Sequence, residues 1–151
     1  MIGALQMVKV AVGELRPHPR NPRNGDTERI ADSLQRNGQY KPIVVARDGT
    51  VLAGNHTYAA ALSLGWEHLY AIITPYDPGS DEATRLMLAD NRTSDYATYD
   101  PGQLLDLLDS LPELGGTGFG ESDLEALITQ THQDADTSLS ETLCPACGRR
   151  M

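Results

Sequence analysis

The sequence predicts an α+β domain, because short apolar runs rich in Val and Ile alternate with segments that have helical periodicity. An Asp-Gly turn between two of the apolar runs adds the signature of a β-hairpin. The chain has 151 residues, which is enough for one domain with a tail or for two small domains. Hydrophobic residues make up 40% and aromatic residues only 5%, so we expect a core of Leu, Ile, Val and Ala.

The first elements are a strand, an extended proline-rich segment and a helix. Residues 7–12 read Met-Val-Lys-Val-Ala-Val, which is typical of a strand. Residues 15–23 hold three prolines in six positions, and these favour an extended and fairly rigid backbone. Asp26 or Thr27 is then suited to cap a helix that ends near Asn37.

A hairpin followed directly by a helix forms the centre of the domain. The apolar runs 42–46 and 50–53 are joined by the turn Arg47-Asp48-Gly49. Gly54 and Asn55 open a helix that Gly65 ends, and its predicted apolar face carries Tyr58, Ala59 and Leu62.

The remaining segments complete the domain and add an extension. The pattern of residues 68–73 predicts a strand. Ser80 or Asp81 is suited to cap a helix that runs through Asn91, and the predicted apolar face of this helix carries Ala83, Leu86 and Met87. We therefore predict a domain over residues 1–95. An acidic helical extension follows over 96–130, with helices from Asp100-Pro101 and from the capping-box sequence Ser122-Asp-Leu-Glu125, the second ending near Gln130. Residues 131–151 predict a flexible polar tail.

Charge and composition narrow the function classes. Residues 1–47 carry a net charge of +4, 48–95 carry −5 and 96–151 carry −8, which gives −9 for the chain. Such a chain repels duplex DNA at long range, so general non-specific DNA binding is disfavoured. No segment has the length of a membrane span, the start does not resemble a secretory signal, and two cysteines exclude a disulfide scaffold. We expect a cytoplasmic protein.

The junction between strand and helix at Gly54-Asn-His-Thr57 is the most informative stretch. The first N–H groups of a helix have no intrahelical acceptor and lie at the positive end of the helix dipole. A glycine there lets an anion approach the backbone, and Asn55 or His56 can add side-chain donors. The alternative is a plain structural junction with Asn55 as N-cap.

Two further stretches offer groups that bind phosphate or a cation. Asp90 and Asn91 supply oxygens that suit Mg²⁺, and Arg92 suits a phosphate; the alternative is an ordinary helix C-terminus. In the proline-rich segment, Arg20 and Arg23 are held at a fixed spacing that can clamp a triphosphate, although a solvated loop accounts for the same residues.

The end of the chain reads Cys144-Pro-Ala-Cys147-Gly, which is one half of a zinc knuckle. A closed zinc site needs four ligands, and His132 or the same cysteines of a homodimer partner would supply the rest. A reduced tail without metal is the alternative.

The order of these segments resembles the N-terminal domain of the ParB/sulfiredoxin superfamily over about residues 8–95. The resemblance rests on Asn37-Gly-Gln-Tyr-Lys-Pro-Ile-Val-Val45, on Ala53-Gly-Asn-His-Thr-Tyr-Ala-Ala-Ala-Leu-Ser-Leu-Gly65 and on Leu88-Ala-Asp-Asn-Arg92. The segment after residue 95 is similar to the corresponding part of phage and plasmid proteins of this type, some of which carry a DNA methyltransferase. The resemblance implies a small mixed sheet with packed helices.

The resemblance also implies a ligand. ParB proteins bind CTP with Mg²⁺, and sulfiredoxins and the serine kinases of the superfamily bind ATP or ADP. It follows by resemblance that Gly54, Asn55 and His56 hold phosphates, with Thr57 in the same box, that Arg23 assists, and that Asp90 and Asn91 reach the metal. The family's glycine-acid-Arg-Arg box has lost both arginines here. The sulfiredoxin cysteine falls at Asn55, which cannot act as a thiol nucleophile.

Three functions are compatible with these observations. The first is a stand-alone ParB-like nucleotide-binding protein of phage or plasmid DNA metabolism, with NTPase or nuclease activity that uses His56 and Asp90. The second is a non-catalytic adaptor that reaches DNA through a DNA-modifying partner bound by the acidic helices. The third is a small-molecule kinase in which His56 and a carboxylate such as Glu14 assist phosphoryl transfer.

Overall fold

A mixed sheet organises the first part of the chain in the computed structural model, which describes residues 5–141. Five strands within these residues pair in the order β1-β5-β3-β4-β2. They are β1 (Met7–Ala11), β2 (Arg16–Pro17), β3 (Ile43–Val45), β4 (Thr50–Ala53) and β5 (His68–Ile73). A short 3₁₀ turn, Val12–Glu14, separates the first two strands.

The pairing confirms the predicted hairpin. β3 and β4 are antiparallel, with an irregularity between Val44 and Val45. β5 pairs antiparallel with β1 and parallel with β3, and β2 adds a short parallel edge to β4. In the hairpin turn, Gly49 has a φ of 91°, and a Cβ there would lie 2.5 Å from the Glu14 carbonyl oxygen. Both the backbone angle and the close approach require glycine.

Five helices lie within the described residues, and three of them begin at the predicted caps. They are α1 (Thr27–Asn37), α2 (Asn55–Ser63), α3 (Asp81–Asp95), α4 (Pro101–Asp109) and α5 (Glu121–Glu141). Asp26, Ser80 and Asp100 each accept hydrogen bonds from backbone N–H groups in the first turn of the following helix.

The sheet is covered on both faces, which confirms the α+β fold class. One core joins Ile43, Val45, Val51, Leu69 and neighbouring residues to α2. The other joins Leu52 and Ala46 to Ala83 of α3, as the predicted apolar face of that helix requires.

The predicted apolar face of α2 is wrong in part. Its buried residues are Tyr58, Ala60 and Ala61, whereas the side chain of Leu62 is 51% exposed. The buried Tyr58 hydroxyl donates to the Leu15 carbonyl oxygen at 3.2 Å. The helix thus rests on small residues, because alanines let it lie close to the sheet.

Two helices are longer than predicted. α3 continues past Asn91 to Asp95, and the hydroxyls of Thr93 and Ser94 bond to carbonyl groups one turn earlier within it. Asn91 therefore lies inside the helix and does not end it.

The last helix begins earlier and ends later than the capping box indicated. α5 begins at Glu121 and runs to Glu141, so residues 131–141, predicted to be flexible, are helical. Ser122 is not the cap, because the Asp123 carboxylate accepts the Gly120 N–H at 2.7 Å. Residues 131–141 contain neither Gly nor Pro, so nothing in them stops the helix.

The chain forms two compact units. The first runs to Ala97 and includes the loop Gly115–Gly118, and the second consists of Thr98–Leu114 and the residues from Phe119 onward. In the first unit, the Gly116 N–H donates to the Asp32 carboxylate at 2.6 Å, which attaches the loop to α1. The domain boundaries at residues 95 and 130 stay predictions. In the described part of the chain, no helix combines the length and apolar character needed to cross a membrane.

Candidate functional site

The junction between β4 and α2 is built around Gly54. This residue has a φ of 92°, and a Cβ on it would lie 2.6 Å from Cγ2 of Ile43. Glycine is therefore required by the backbone and by the sheet below it, independently of any ligand. The left-handed turn directs the chain from the end of β4 straight into α2.

The first turn of α2 lacks the side-chain cap that α1, α3 and α4 have. No side chain accepts a hydrogen bond from the first backbone N–H groups of this helix. Within residues 5–141, no protein group accepts the backbone N–H groups of Asn55, His56 or Thr57, and Tyr58 is the first to donate to Gly54. These three N–H groups and the helix dipole make this end of α2 positive.

A cavity of about 160 Å³ lies at this end of α2. The β4–α2 junction lines it together with residues of the proline-rich segment, α1 and α3. The lining residues are Asn21, Arg23, Ile30, Leu52, Ala53, Gly54, Asn55, His56, Thr57, Asp90, Asn91 and Ser94. The structure therefore brings together seven residues that the sequence singled out, up to 68 positions apart in the chain.

Asn55 attaches the proline-rich segment to the helix. Its Oδ1 accepts the backbone N–H of His18 at 2.9 Å, and its Nδ2 donates to the Val51 carbonyl oxygen at 3.1 Å. The His18 ring lies 3.3 Å from the Pro78 carbonyl oxygen and so reaches the loop before α3. The Asn55 side chain thus has a structural role, while its backbone N–H has no acceptor among residues 5–141.

Arg23 and Asn91 connect the proline-rich segment to α3. The Arg23 guanidinium donates to the Asn91 carbonyl oxygen at 2.7 Å and lies 3.6 Å from the Asp95 carboxylate. Asn91 Nδ2 donates to Asn21 Oδ1 at 3.2 Å, which leaves the side-chain amide oxygen of Asn91, Oδ1, available to a cation. Arg23 is thus held beside the cavity while its side chain stays partly exposed.

His56 lies against Gly25. A Cβ built on Gly25 would meet Cδ2 of the His56 ring at 2.8 Å, and the φ of Gly25 is one that other residues adopt. The absence of a side chain at Gly25 therefore leaves room for the imidazole ring at the cavity.

Three residues considered in the sequence do not line this cavity. The Arg92 guanidinium lies over the Tyr96 ring at 4.5 Å from its centroid and 3.8 Å from Asp95. Arg20 is exposed, and its backbone N–H donates to His18 Nδ1. Glu14 is exposed in the 3₁₀ turn. Helix geometry explains Arg92, because on a continuous helix it lies about 200° around the axis from Asp90, which lines the cavity.

The donors that suit a metal are few. Asp90 and the amide oxygen of Asn91 lie at the cavity, and the described residues contain no cluster of three or more His, Cys, Asp or Glu side chains. Mg²⁺ in nucleotide sites is held by one or two carboxylates together with phosphates and waters, so this donor set suits it. Cys144 and Cys147 lie outside the described residues, and the zinc knuckle stays a prediction.

The sequence did not single out Asn21, Ile30 or Ser94, which also line the cavity. Asn21-Pro22 does carry a turn signal, but the pattern does not reveal its distant partner Asn91. A neighbouring cavity of about 250 Å³ shares Ile30 and Thr57 with the first and includes Arg29 and Lys41. Both cavities thus border α1, through Ile30, and α2, through Thr57.

No family model matches the sequence, and no curated protein matches it. Solved structures do match. A pNOB8-like ParB N-domain has a TM-score of 0.55 and 17% identity, over 68% of this chain and 42% of its own. The C-terminally truncated chromosome-partitioning protein ParB from Caulobacter crescentus, complexed with CTP-γ-S, has a TM-score of 0.57 and 17% identity, over 70% of this chain and 63% of its own.

A second structure of the pNOB8-like ParB N-domain covers 96% of this chain and 53% of its own, with a TM-score of 0.51 and 12% identity. The chain thus spans between two fifths and two thirds of the length of these ParB proteins. Identities this low show the fold alone. The chain has the fold of the ParB N-domain, as the resemblance in the sequence predicted.

Proposed function

We propose that this chain binds a nucleoside triphosphate with Mg²⁺ at the amino-terminal end of α2. The observation that carries the proposal is the meeting of three uncapped N–H groups with Arg23 and His56 at one cavity. N–H groups at a helix start favour an anion, and two basic side chains add to this preference. A similar fold holds CTP-γ-S in the Caulobacter ParB structure, which supports the same class of ligand here.

The size of the cavity indicates which part of a nucleotide it takes. About 160 Å³ is less than the roughly 300 Å³ of small binding sites for whole organic ligands, so the cavity suits phosphates. The neighbouring cavity of about 250 Å³, reached past Ile30 and Thr57, has room for the sugar and base. CTP and ATP are the nucleotides to compare first, because the lining does not distinguish one base from the other.

Asp90 gives a reason to include a divalent cation. A carboxylate beside the phosphates would repel them unless a cation lies between the two. We infer that Asp90 and the Asn91 amide oxygen hold Mg²⁺ on the phosphates, where it would neutralise their charge.

Turnover, if it follows binding, would use His56 and Asp90. His56 is placed to accept a proton from a water or hydroxyl nucleophile at the phosphates, and Asp90 orients the groups around the cation. NTP hydrolysis is the simplest such reaction. Nuclease activity and transfer to a small hydroxyl compound such as serine use the same two residues with different acceptors.

Calorimetric titration of the full chain with CTP, ATP and GTP, each with Mg²⁺, tests the proposal. We expect one of them to bind, and His56→Ala and Asn91→Ala each to weaken binding by about ten-fold, as for the loss of one hydrogen bond to a charged group. His68→Ala is the matched control, since His68 is exposed on β5 and does not line the cavity. Equal affinities of wild type, His56→Ala and Asn91→Ala would remove the assignment of this site.

Product analysis then separates the reactions. Incubation of the binding nucleotide alone, with serine and with plasmid DNA distinguishes hydrolysis, kinase and nuclease activity. If the nucleotide binds and no product forms, the chain would act as a nucleotide-dependent switch that catalyses no reaction.

A further inference from the structure

The second unit carries an apolar groove between α4 and α5. The groove has a volume of about 460 Å³, and its apolar lining includes Tyr99, Leu104, Phe119 and Leu127. The rings of Tyr99 and Phe119 meet edge to face with centroids 5.7 Å apart. Tyr99 is nevertheless 69% exposed, so this aromatic pair lies at the surface of the groove.

This unit buries little apolar surface of its own. Among its described side chains, residues 98–136, Leu108 alone is buried. Leu104 and Leu127 are half-buried, and Ile128 is 40% exposed. Two helices that pack through so few residues leave an apolar surface of the kind that marks an interaction site.

The charge of the unit identifies the kind of occupant. Residues 98–136 contain nine Asp or Glu and no Lys or Arg. On α5, Asp123 lines the groove together with Leu127, and Asp134 lies on the same helix face three turns beyond Asp123, so this face carries a carboxylate on each side of Leu127. A second copy of the groove would bring the same negative charge and be repelled, and so would nucleic acid.

We propose that the α4–α5 groove binds an amphipathic helix of a partner protein, with an apolar face that carries Lys or Arg at its edges. The twelve residues from Asp123 to Asp134 span about 16 Å of helix, or three turns, which sets the length of the partner segment. Apolar side chains of the partner would enter beside Tyr99 and Leu127, and its basic groups would meet the carboxylates at the ends. The proposal is independent of nucleotide binding, because it concerns the other unit.

The test uses two synthetic peptides of about four helical turns. Both carry Leu at helical spacing on one face; one has Lys and the other Glu at the flanking positions. Titration of the full chain is followed by fluorescence anisotropy and by NMR. We expect the Lys peptide to bind and to shift the signals of Tyr99, Phe119 and Leu127, and the Glu peptide not to bind. Absence of binding by the Lys peptide at about 1 mM would overturn the proposal.

Two matched pairs of variants locate the contact. Leu127→Ser removes an apolar group of the groove and should weaken binding by about ten-fold or more, whereas Ile128→Ser, next to it but outside the lining, should not. Asp134→Lys and Glu125→Lys change the charge equally, but Glu125 lies on the far side of α5, so only Asp134→Lys should weaken binding, by roughly three- to ten-fold. Circular dichroism checks that each variant keeps its helices.

The charge pair keeps the proposal falsifiable if Leu127→Ser fails to fold. Equal weakening by Asp134→Lys and Glu125→Lys would show general attraction of opposite charges and would overturn the groove as the site. Sedimentation of the chain without peptide tests for the alternative occupant, which is a second copy of this chain. A dimer that Asp134→Lys alters and Glu125→Lys does not would assign the groove to a second copy and overturn the proposed partner.

Discussion

Gly25 and His56 show how one missing side chain shapes the cavity. The imidazole ring occupies the space that a Cβ on Gly25 would enter, at 2.8 Å from Cδ2. Because the φ of Gly25 is accessible to alanine, a substitution there acts on the neighbouring ring and not on the backbone. Gly54 differs, since its positive φ and its contact with Ile43 exclude any side chain.

Gly25→Ala should therefore move the His56 ring and leave the fold intact. If His56 contacts phosphate, nucleotide affinity should fall by about ten-fold, with little change in thermal unfolding. Titration of the variant measures its nucleotide affinity, and calorimetric melting measures its thermal unfolding. Gly79→Ala is the control, since a Cβ there meets nothing within 4 Å. Undiminished affinity in Gly25→Ala would argue that the ring takes no part in binding.

At the scale of elements, the proline-rich segment is attached to α2 and α3 by amide and guanidinium groups. Prolines give the segment few backbone donors, so it cannot join the sheet beyond the two residues of β2. Asn55 supplies the missing attachment through the His18 N–H and the Val51 carbonyl oxygen. This attachment, together with the hydrogen bonds of Asn21 and Arg23 to Asn91, holds Arg23 at the cavity.

Asn55→Ala should destabilise the chain by about 1–3 kcal/mol, because it leaves the partly buried His18 N–H and the Val51 carbonyl without these partners. Urea unfolding measures the loss, and faster hydrogen exchange at the His18 amide should accompany it. Asn24→Ala is the control from the same segment, at an exposed residue. Equal stability of the two variants would show that the amide attachment contributes nothing.

For the molecule as a whole, the acidic composition makes the response to pH informative. The net charge is −9 at pH 7. Asp48, in the hairpin turn, accepts the Thr50 N–H at 2.9 Å and the Thr50 hydroxyl at 3.1 Å, and Arg16 lies 3.5 Å away. The Thr50 backbone hydrogen bond, with smaller help from the hydroxyl and Arg16, holds the pKa of Asp48 below its ordinary value of 3.8.

A carboxyl group whose pKa is lowered on folding stabilises the folded state above its unfolded pKa, and this contribution is lost as the pH falls through the folded pKa. Asp48→Asn should therefore lower the free energy of unfolding at pH 7, by less than about 1 kcal/mol because the carboxylate is exposed to solvent. The difference should shrink below pH 3.8, as urea unfolding at a series of pH values will show. A difference that is the same at pH 7 and in strong acid would assign the effect to something other than this charge.

Local patterns predicted most of the elements of this fold. The Asp-Gly turn, the cap at Asp26 and the β-branched runs each act over a few neighbouring residues, and all are found where expected. The predictions were wrong where tertiary packing decides which face of a helix is buried, or where the absence of a helix-breaking residue decides where a helix ends. Leu62 is exposed because alanines face the sheet, and α5 runs on beyond Gln130 because no breaker follows.

By itself, the sequence determined the α+β class and the superfamily fold, and it pointed to Gly54, His56 and Asp90, because helix starts and hairpin turns are encoded in adjacent residues. Only the tertiary structure decided which of these side chains share a cavity. It placed Arg23 against Asn91 across the fold and left Arg20 and Arg92 away from the cavity. The pairing of strands and the direction of each helix face set such distances, and a linear pattern does not contain them.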